Sequence, residues 1–234
     1  MPTLMKSGCD VGKVLLLLGQ VDTGDVIVCG LECMLSRANR RERDMRAPIL
    51  VDFPESVETE RLLMRSPFPG DGPEMYAAIT ESIEELAPWM AWPKEHETVD
   101  ESEASARRAR IAFLARTELR MHLYLKGTDT LVGVCGLQGI DWEVPKFEIG
   151  YWCRTRFAGL GYTTEAVKTI TAFALDALGA RRVEIRCDTL NLPSARVAER
   201  AGFLLEGTLH NNDLGTDGRP RDTRIYAMTP KQRA

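Results

Sequence analysis

A glycine-punctuated basic turn, set between an alternating strand and an amphipathic helix, constrains this chain more than any other segment. Glu148-Ile-Gly-Tyr-Trp-Cys153 alternates apolar and polar positions, and Arg156-Phe-Ala-Gly159-Leu-Gly161-Tyr-Thr-Thr-Glu165 follows almost at once. A strand that breaks into such a turn and then a helix leaves backbone N–H groups unpaired at the helix start, which is a ready seat for phosphate. The spacing predicts a helix over Thr163–Leu178, with Ala166, Val167, Ile170, Phe173, Ala174, Ala177 and Leu178 on its buried face. Thr163 or Thr164 is expected to cap the first turn and Gly179 to stop the helix. The two glycines let backbone approach a ligand without a Cβ, and Arg156 adds a fixed positive charge.

Two readings of the turn need no further context. A dinucleotide fingerprint matches at Gly159 and Gly161, and Asp188 closes the next strand-like run, but Thr164 stands where the third glycine belongs. Only about 70 residues follow the turn, too few for a full doubly wound domain, and the strands before it read as hairpins. The other reading is an ordinary strand, turn and helix with glycines at a tight corner.

At 234 residues and 44% hydrophobic content, the chain suits one catalytic domain. A net charge of −4 disfavours general nucleic-acid binding. No segment approaches the roughly 20 apolar residues of a membrane span, and the run Val14–Leu18 is too short for a signal peptide, so a soluble cytoplasmic protein is expected. Six cysteines lack zinc-ligand spacing; Cys29 and Cys33 are the only close pair, and Cys135, Cys153 and Cys187 fall in strand-like runs as reduced core thiols. No metal is expected.

Residues 1–44 differ from the rest. They hold three of the cysteines, a short leucine run, and a crowd of charge from Arg37 to Arg46 without apolar periodicity. They read as an extension, non-native or disordered, with the functional protein beginning near Met45; a regulatory extension or small hairpin is the other reading. From Val57 to Arg65 a first strand is expected, then a helix from Pro73 to about Ser82, a second helix capped by Asp100 or Ser102 and running through Glu118, and a hairpin of Met121–Lys126 with Leu131–Gln138. Lys146–Cys153 leads into the glycine turn and its helix. Arg182–Cys187 is the next strand and Ser194–Ala201 a short helix, with closing strands from Gly202 and over Thr223–Met228. This order gives an α/β layered domain with a mixed sheet.

The segment from Asp188 to Gly207 sharpens the picture. Asn191-Leu-Pro-Ser194, then Gly202-Phe203 and Glu206-Gly207, resemble the linked N-x-x-S, GF and EG signature of the branch of GNAT N-acetyltransferases that acetylates ribosomal-protein N termini. Arg156-x-x-Gly159-x-Gly161 after the Glu148–Trp152 strand resembles the acyl-CoA pyrophosphate loop of the same family. The resemblance covers residues 56–231 and implies the GNAT-type acyl-CoA N-acyltransferase fold, a central mixed, mostly antiparallel sheet with helices on both faces. It implies acetyl-CoA as co-substrate. Its pyrophosphate would lie on the backbone of Arg156, Phe157, Ala158, Gly159, Leu160 and Gly161 and on the helix start at Tyr162 and Thr163. Its pantetheine would lie beside Ile149 and Tyr151, where the strand Glu148–Cys153 parts from Arg182–Cys187 and leaves unpaired backbone groups for the pantetheine amides. Asn191 would contact the cofactor arm, and Ser194 would protonate the leaving thiolate or, more simply, cap a helix.

The implied acceptor is a primary amine, either a protein N terminus or a small molecule such as a polyamine, amino acid or aminoglycoside. An α-amino group near pKa 7.7–8.0 is about a quarter neutral around pH 7.4, whereas a lysine amine near 10.4 is neutral only about one part in a thousand. An N-terminal acceptor therefore needs only a modest base. Asp213, nineteen residues after Ser194, occupies the position where the resemblance implies an acidic residue; it reads otherwise as a solvated turn carboxylate. His210 is the alternative base, with water a third, while His96 and His122 have no supporting context. Glu165, on the first helical turn, suits the helix dipole better than proton transfer. Trp89 and Trp92, flanked by Pro88 and Pro93, wall the acceptor site or pack as core. A homodimer stays open, as do an acyl-CoA sensor without chemistry and, third, a dinucleotide oxidoreductase.

Overall fold

The computed structural model describes residues 47–95 and 98–233. The expectations for residues 1–44, Met45, Cys29, Cys33 and His96 fall outside them. Among the described residues, eight strands form one sheet in the order β1-β2-β3-β4-β5-β6-β8-β7. They are β1 (Ser56–Glu58), β2 (Leu62–Arg65), β3 (Leu119–Leu125), β4 (Leu131–Asp141), β5 (Lys146–Cys153), β6 (Arg182–Asp188), β7 (Leu204–Leu214) and β8 (Pro220–Met228). Every pairing is antiparallel except β5 with β6. The helices are α1 (Gly72–Glu81), the single turn α2 (Ile83–Leu86), α3 (Val99–Ala115), α4 (Tyr162–Asp176), α5 (Leu192–Arg200) and a last turn α6 (Pro230–Arg233).

The period-two alternation of the strands sorts side chains into two layers. Leu119, Met121, Leu123, Cys135, Leu137, Phe147, Ile149, Val183 and Ile185 face the helices α4 and α5 and form the larger core. Full burial of a side chain such as Phe147 or Ile185 contributes about 1.5–3 kcal/mol. On the other face, Tyr124, Val134 and Trp152 meet Met75, Ala78 and Ile79 of α1. Helices thus cover both faces of a mixed, mostly antiparallel sheet.

Local chemistry moved several boundaries from their expected places. Thr59 bends the first strand in two: its Oγ1 accepts the Leu62 N–H at 2.9 Å, so β1 and β2 pair as a tiny hairpin with Ser56 opposite Arg65. Helix α3 starts one turn before Ser102, because Thr98 and Glu101 form a reciprocal capping box; Ser102 is buried instead. Helix α4 is capped by neither threonine. Gly161 is its N-cap, at φ +84°, with no side-chain cap. Its buried face is Ala166, Val167, Ile170, Thr171, Ala174 and Leu175, while Ala177 lies past the end and is exposed. Phe173 stands at the margin, with its ring 4.7 Å from that of Phe53.

Candidate functional site

The parallel pair β5–β6 is joined at only three positions, Lys146–Arg182, Phe147–Val183 and Glu148–Glu184. Beyond them β5 stays with β4 as far as Cys153, and β6 turns to β8 as far as Asp188. The strands part, and a cleft of about 340 Å³ opens between Ile149 and Tyr151 on one side and Ile185, Cys187, Asn191 and Ser194 on the other. The inner edge of β5 from Ile149 onward has no strand paired to it on this side, so its N–H and C=O groups face the cleft.

At the end of β5 the chain makes a short 3-10 turn, Thr155–Phe157, and then the glycine turn, with Gly159 at φ +78°. Both glycines hold left-handed backbone that a Cβ would strain. The N–H groups of Gly161, Tyr162 and Thr163 have no hydrogen-bond partner among the described residues, as expected at a helix start without a side-chain cap. Arg61 secures this start. Its guanidinium donates to the Leu160 carbonyl at 3.0 Å and to Glu165 at 2.7 Å, and lies 4.3 Å from the Tyr162 ring centroid. Glu165 also accepts from the Thr59 hydroxyl at 2.5 Å. Burial pushes the Glu165 carboxyl up, but the hydrogen bonds from Thr59 and Arg61 outweigh that and hold it below its ordinary value. Glu165 is thus an anchor for the turn rather than a base.

Arg156 is not a free charge. Its guanidinium is clamped on Glu81, which also accepts from the buried Arg154 at 2.8 Å. Arg156 beside it, with Arg154, lowers the Glu81 carboxyl to about 2. A phosphate on this turn would share Arg156 with Glu81, and the backbone N–H groups would be the unshared donors.

Ser194 is not a helix cap. Asn191 caps α5, its Oδ1 accepting the Ser194 N–H at 3.1 Å, and the Ser194 hydroxyl is left to the cleft. There it lies 3.0 Å from the Tyr151 hydroxyl, which also donates to the Ser194 carbonyl at 3.0 Å. Burial holds the Tyr151 phenol well above its ordinary value, so it stays protonated. Asp213 lies on β7 rather than in a turn, and lines the same cleft. Its side chain is 59% exposed, and hydrogen bonds from the Leu214 N–H and Arg221 hold its carboxyl below the ordinary range. His210 is 76% exposed, pairs with Asp222 at 2.9 Å, and does not line the cleft. Of the tryptophans, Trp89 lines the cleft. Trp92 packs on Trp152, with ring centroids 5.8 Å apart, in a second cavity.

That second cavity, about 510 Å³, lies between α1, α3 and the sheet, and Met90, Gln138, Gly150 and Tyr151 line both spaces. At its floor stands His122, fully buried, with Nδ1 2.9 Å from Asp71 Oδ2. Arg65 holds the same carboxylate at 2.9 and 2.5 Å, and the Phe68 N–H donates to it at 2.9 Å. Desolvation lowers the His122 pKa despite Asp71, because Arg65 already balances that charge and Arg120 repels a second one. The unfolded state then binds more protons than the native state below about pH 6.5, so stability falls as pH drops through that range. Thermal unfolding should therefore show a midpoint that declines between pH 7 and 5. His122→Phe should flatten that decline; an unchanged slope would place its origin elsewhere.

Sequence reasoning missed Arg61, Glu81, Arg154 and the Asp71–His122 pair. Arg61 had a signal, since it stands at the mouth of a Thr-Glu-Arg-Leu strand start; the others meet partners 51 to 80 residues away. A family model described as acetyltransferase (GNAT) domain matches residues 61–204. The Bacillus subtilis (strain 168) protein YdaF is 28% identical over 176 residues, 74% of this chain and 93% of that protein. The ribosomal-protein-serine acetyltransferase of Escherichia coli (strain K12) is 26% identical over 153 residues, 65% of this chain and 84% of that one. The crystal structure of the Microcin C7 self immunity acetyltransferase MccE, in complex with acetyl-CoA and AMP, superposes at a TM-score of 0.70. It is 24% identical and covers 76% of this chain and 97% of its own, a likeness of fold.

Proposed function

The chain belongs to the GNAT acetyltransferase family, and from that premise we propose that it carries acetyl-CoA through the β5–β6 gap and transfers the acetyl group directly to a primary amine, a protein N-terminal α-amine foremost. The observation that carries this reading is the alignment of three features along one path. Unpartnered N–H groups stand at the α4 start, the strands part below them, and the Tyr151–Ser194 hydroxyl pair lies in the gap. The name of the Escherichia coli relative supports the choice of an N-terminal acceptor.

The turn at Gly159–Thr163 receives the pyrophosphate, and the open edge of β5 receives the pantetheine amides. Backbone N–H groups of that edge also hold the oxyanion of the tetrahedral intermediate. The neutral amine attacks the thioester carbonyl, the C–S bond breaks, and the nitrogen loses a proton to water or to Asp213. Ser194, held 3.0 Å from Tyr151, gives its proton to the thiolate and regains the one the amine released, carried by water, so that thiol, amide and neutral serine result. Asp213 is ionised throughout the physiological range, which makes it a weak base that orients a water more than it takes a proton. Asp213→Asn should accordingly lower the turnover rate uniformly between pH 6 and 9. The acidic limb, set by the amine itself, should stay in place; a limb that moves would make Asp213 the titrating base.

Thiol release from acetyl-CoA across a panel of N-terminal peptides, polyamines, amino acids and aminoglycosides tests the reading. Turnover on at least one primary amine is expected. Tight acetyl-CoA binding with no turnover on any of them would leave an acyl-CoA sensor, and residues 56–231 are the domain to which either activity is assigned.

A further inference from the structure

The second cavity has a mixed lining and, at its floor, an unsatisfied polar atom. Met75, Ile79 and Trp152 supply apolar wall, and Arg108, Glu118 and Arg120 place charges beside it. His122 Nε2 is buried and has no hydrogen-bond partner among the described residues. Its other ring nitrogen is committed to Asp71, a carboxylate that accepts only, so Nδ1 carries the proton and Nε2 presents a bare lone pair. Buried polar groups are normally paired, and a native exception calls for an explanation, which a partner supplied from outside provides. Resting on the transfer reading above, we infer that His122 is a specificity-determining residue, whose Nε2 accepts a hydrogen bond from an uncharged hydroxyl or amide N–H on the body of the acceptor amine.

The sheet register sets where that donor sits. His122 is opposite Val134 and Val134 opposite Trp152, while Gly136 is opposite Gly150 at the cleft edge. Two strand spacings across and two residues along put His122 about 12 Å from Gly150, the span of roughly three to four extended residues. An acceptor whose amine lies at the cleft thus brings its third or fourth residue, or the far end of a small molecule of that length, to His122. The lone pair rejects carbonyl and carboxylate oxygens in the same place, since two acceptors repel. The cavity therefore distinguishes a hydroxyl from an isosteric methyl.

Two sets of probes separate the sources of such a group. Tetrapeptides with threonine or its isostere valine at position two, three or four test a protein N terminus. ω-Amino alcohols of increasing length, each set against the alkylamine of equal length, test a small molecule. The full chain should prefer the hydroxyl at one position or one length by roughly 10- to 100-fold in kcat/KM. His122→Phe should bring that ratio to about one with the KM for acetyl-CoA unchanged, and His122→Gln, whose amide oxygen still accepts, should restore part of it. A wild-type chain with no donor preference in either set overturns the assignment without needing any variant to fold, as does a preference that survives in His122→Phe. Calorimetry with acetyl-CoA alone, done first, keeps the two readings apart: no binding removes the transfer reading, whereas binding and transfer without a donor preference remove only the role of His122.

Discussion

Gly161→Val should raise the dissociation constant of acetyl-CoA by about 100-fold or more, equivalent to about 2.7 kcal/mol. The residue sits at φ +84°, where a β-branched side chain costs roughly 1–2 kcal/mol by itself. A Cβ there would stand 3.5 Å from Arg61 Nη2, and Arg61 is what ties Leu160 and Glu165 into the turn. Relief of the strain rotates the peptide whose N–H opens α4, so the donor meant for phosphate is lost together with the turn's shape. Gly127→Val is the control. Gly127 has nearly the same φ, +77°, in a hairpin turn with open space around it, so its variant should lose comparable stability and keep its affinity. Calorimetric titration of both decides the matter: equal affinities in the two would detach the glycine turn from the cofactor.

Ser194→Ala should reduce kcat by about 100-fold or more, within the range expected for a lost proton donor, and leave the affinity for acetyl-CoA nearly unchanged. The helix cap makes this variant interpretable. Asn191 accepts from the Ser194 backbone N–H and not from its hydroxyl, so α5 keeps its N-terminal bond when the hydroxyl is removed. Tyr151→Phe should cost less, about tenfold, because its hydroxyl holds Ser194 by a hydrogen bond and is not itself the donor to the thiolate. The two hydroxyls are 3.0 Å apart, so the double variant should be less impaired than the product of the singles. Pre-steady-state measurement of thiol release reads the chemical step directly. A Ser194→Ala protein with wild-type kcat would leave the serine with its backbone role alone.

Much of the cofactor side was legible because it is built from consecutive residues. Lys146–Cys153 reads as a strand, Gly159 and Gly161 as forced turns, and Ala166–Leu175 as a buried stripe, all from short-range spacing. Even there, the capping residue was misplaced, since either threonine suits a cap by composition and only the left-handed backbone at Gly161 ends the choice. Asn191 and Ser194 show the same limit: two capping residue types three positions apart are indistinguishable by propensity.

The acceptor side depended on long-range pairing. Arg156 reads as a cation free for phosphate until Glu81, 75 residues away, is found holding it. His122 sits in an alternating strand without any local sign of function, and becomes informative only because α1 brings Asp71 to one nitrogen and nothing described to the other. His210 reads as a fit base by type and is carried to the outer strand by the β7–β8 hairpin. Spacing along the chain thus determined the order of strands and helices and the cradle for an anionic cofactor, because backbone geometry and helix periodicity act within a few residues. Which charges are neutralised, which hydroxyl faces the cleft and which imidazole is left with an open lone pair were decided only by the tertiary structure, because burial and ion pairing depend on what the fold brings alongside.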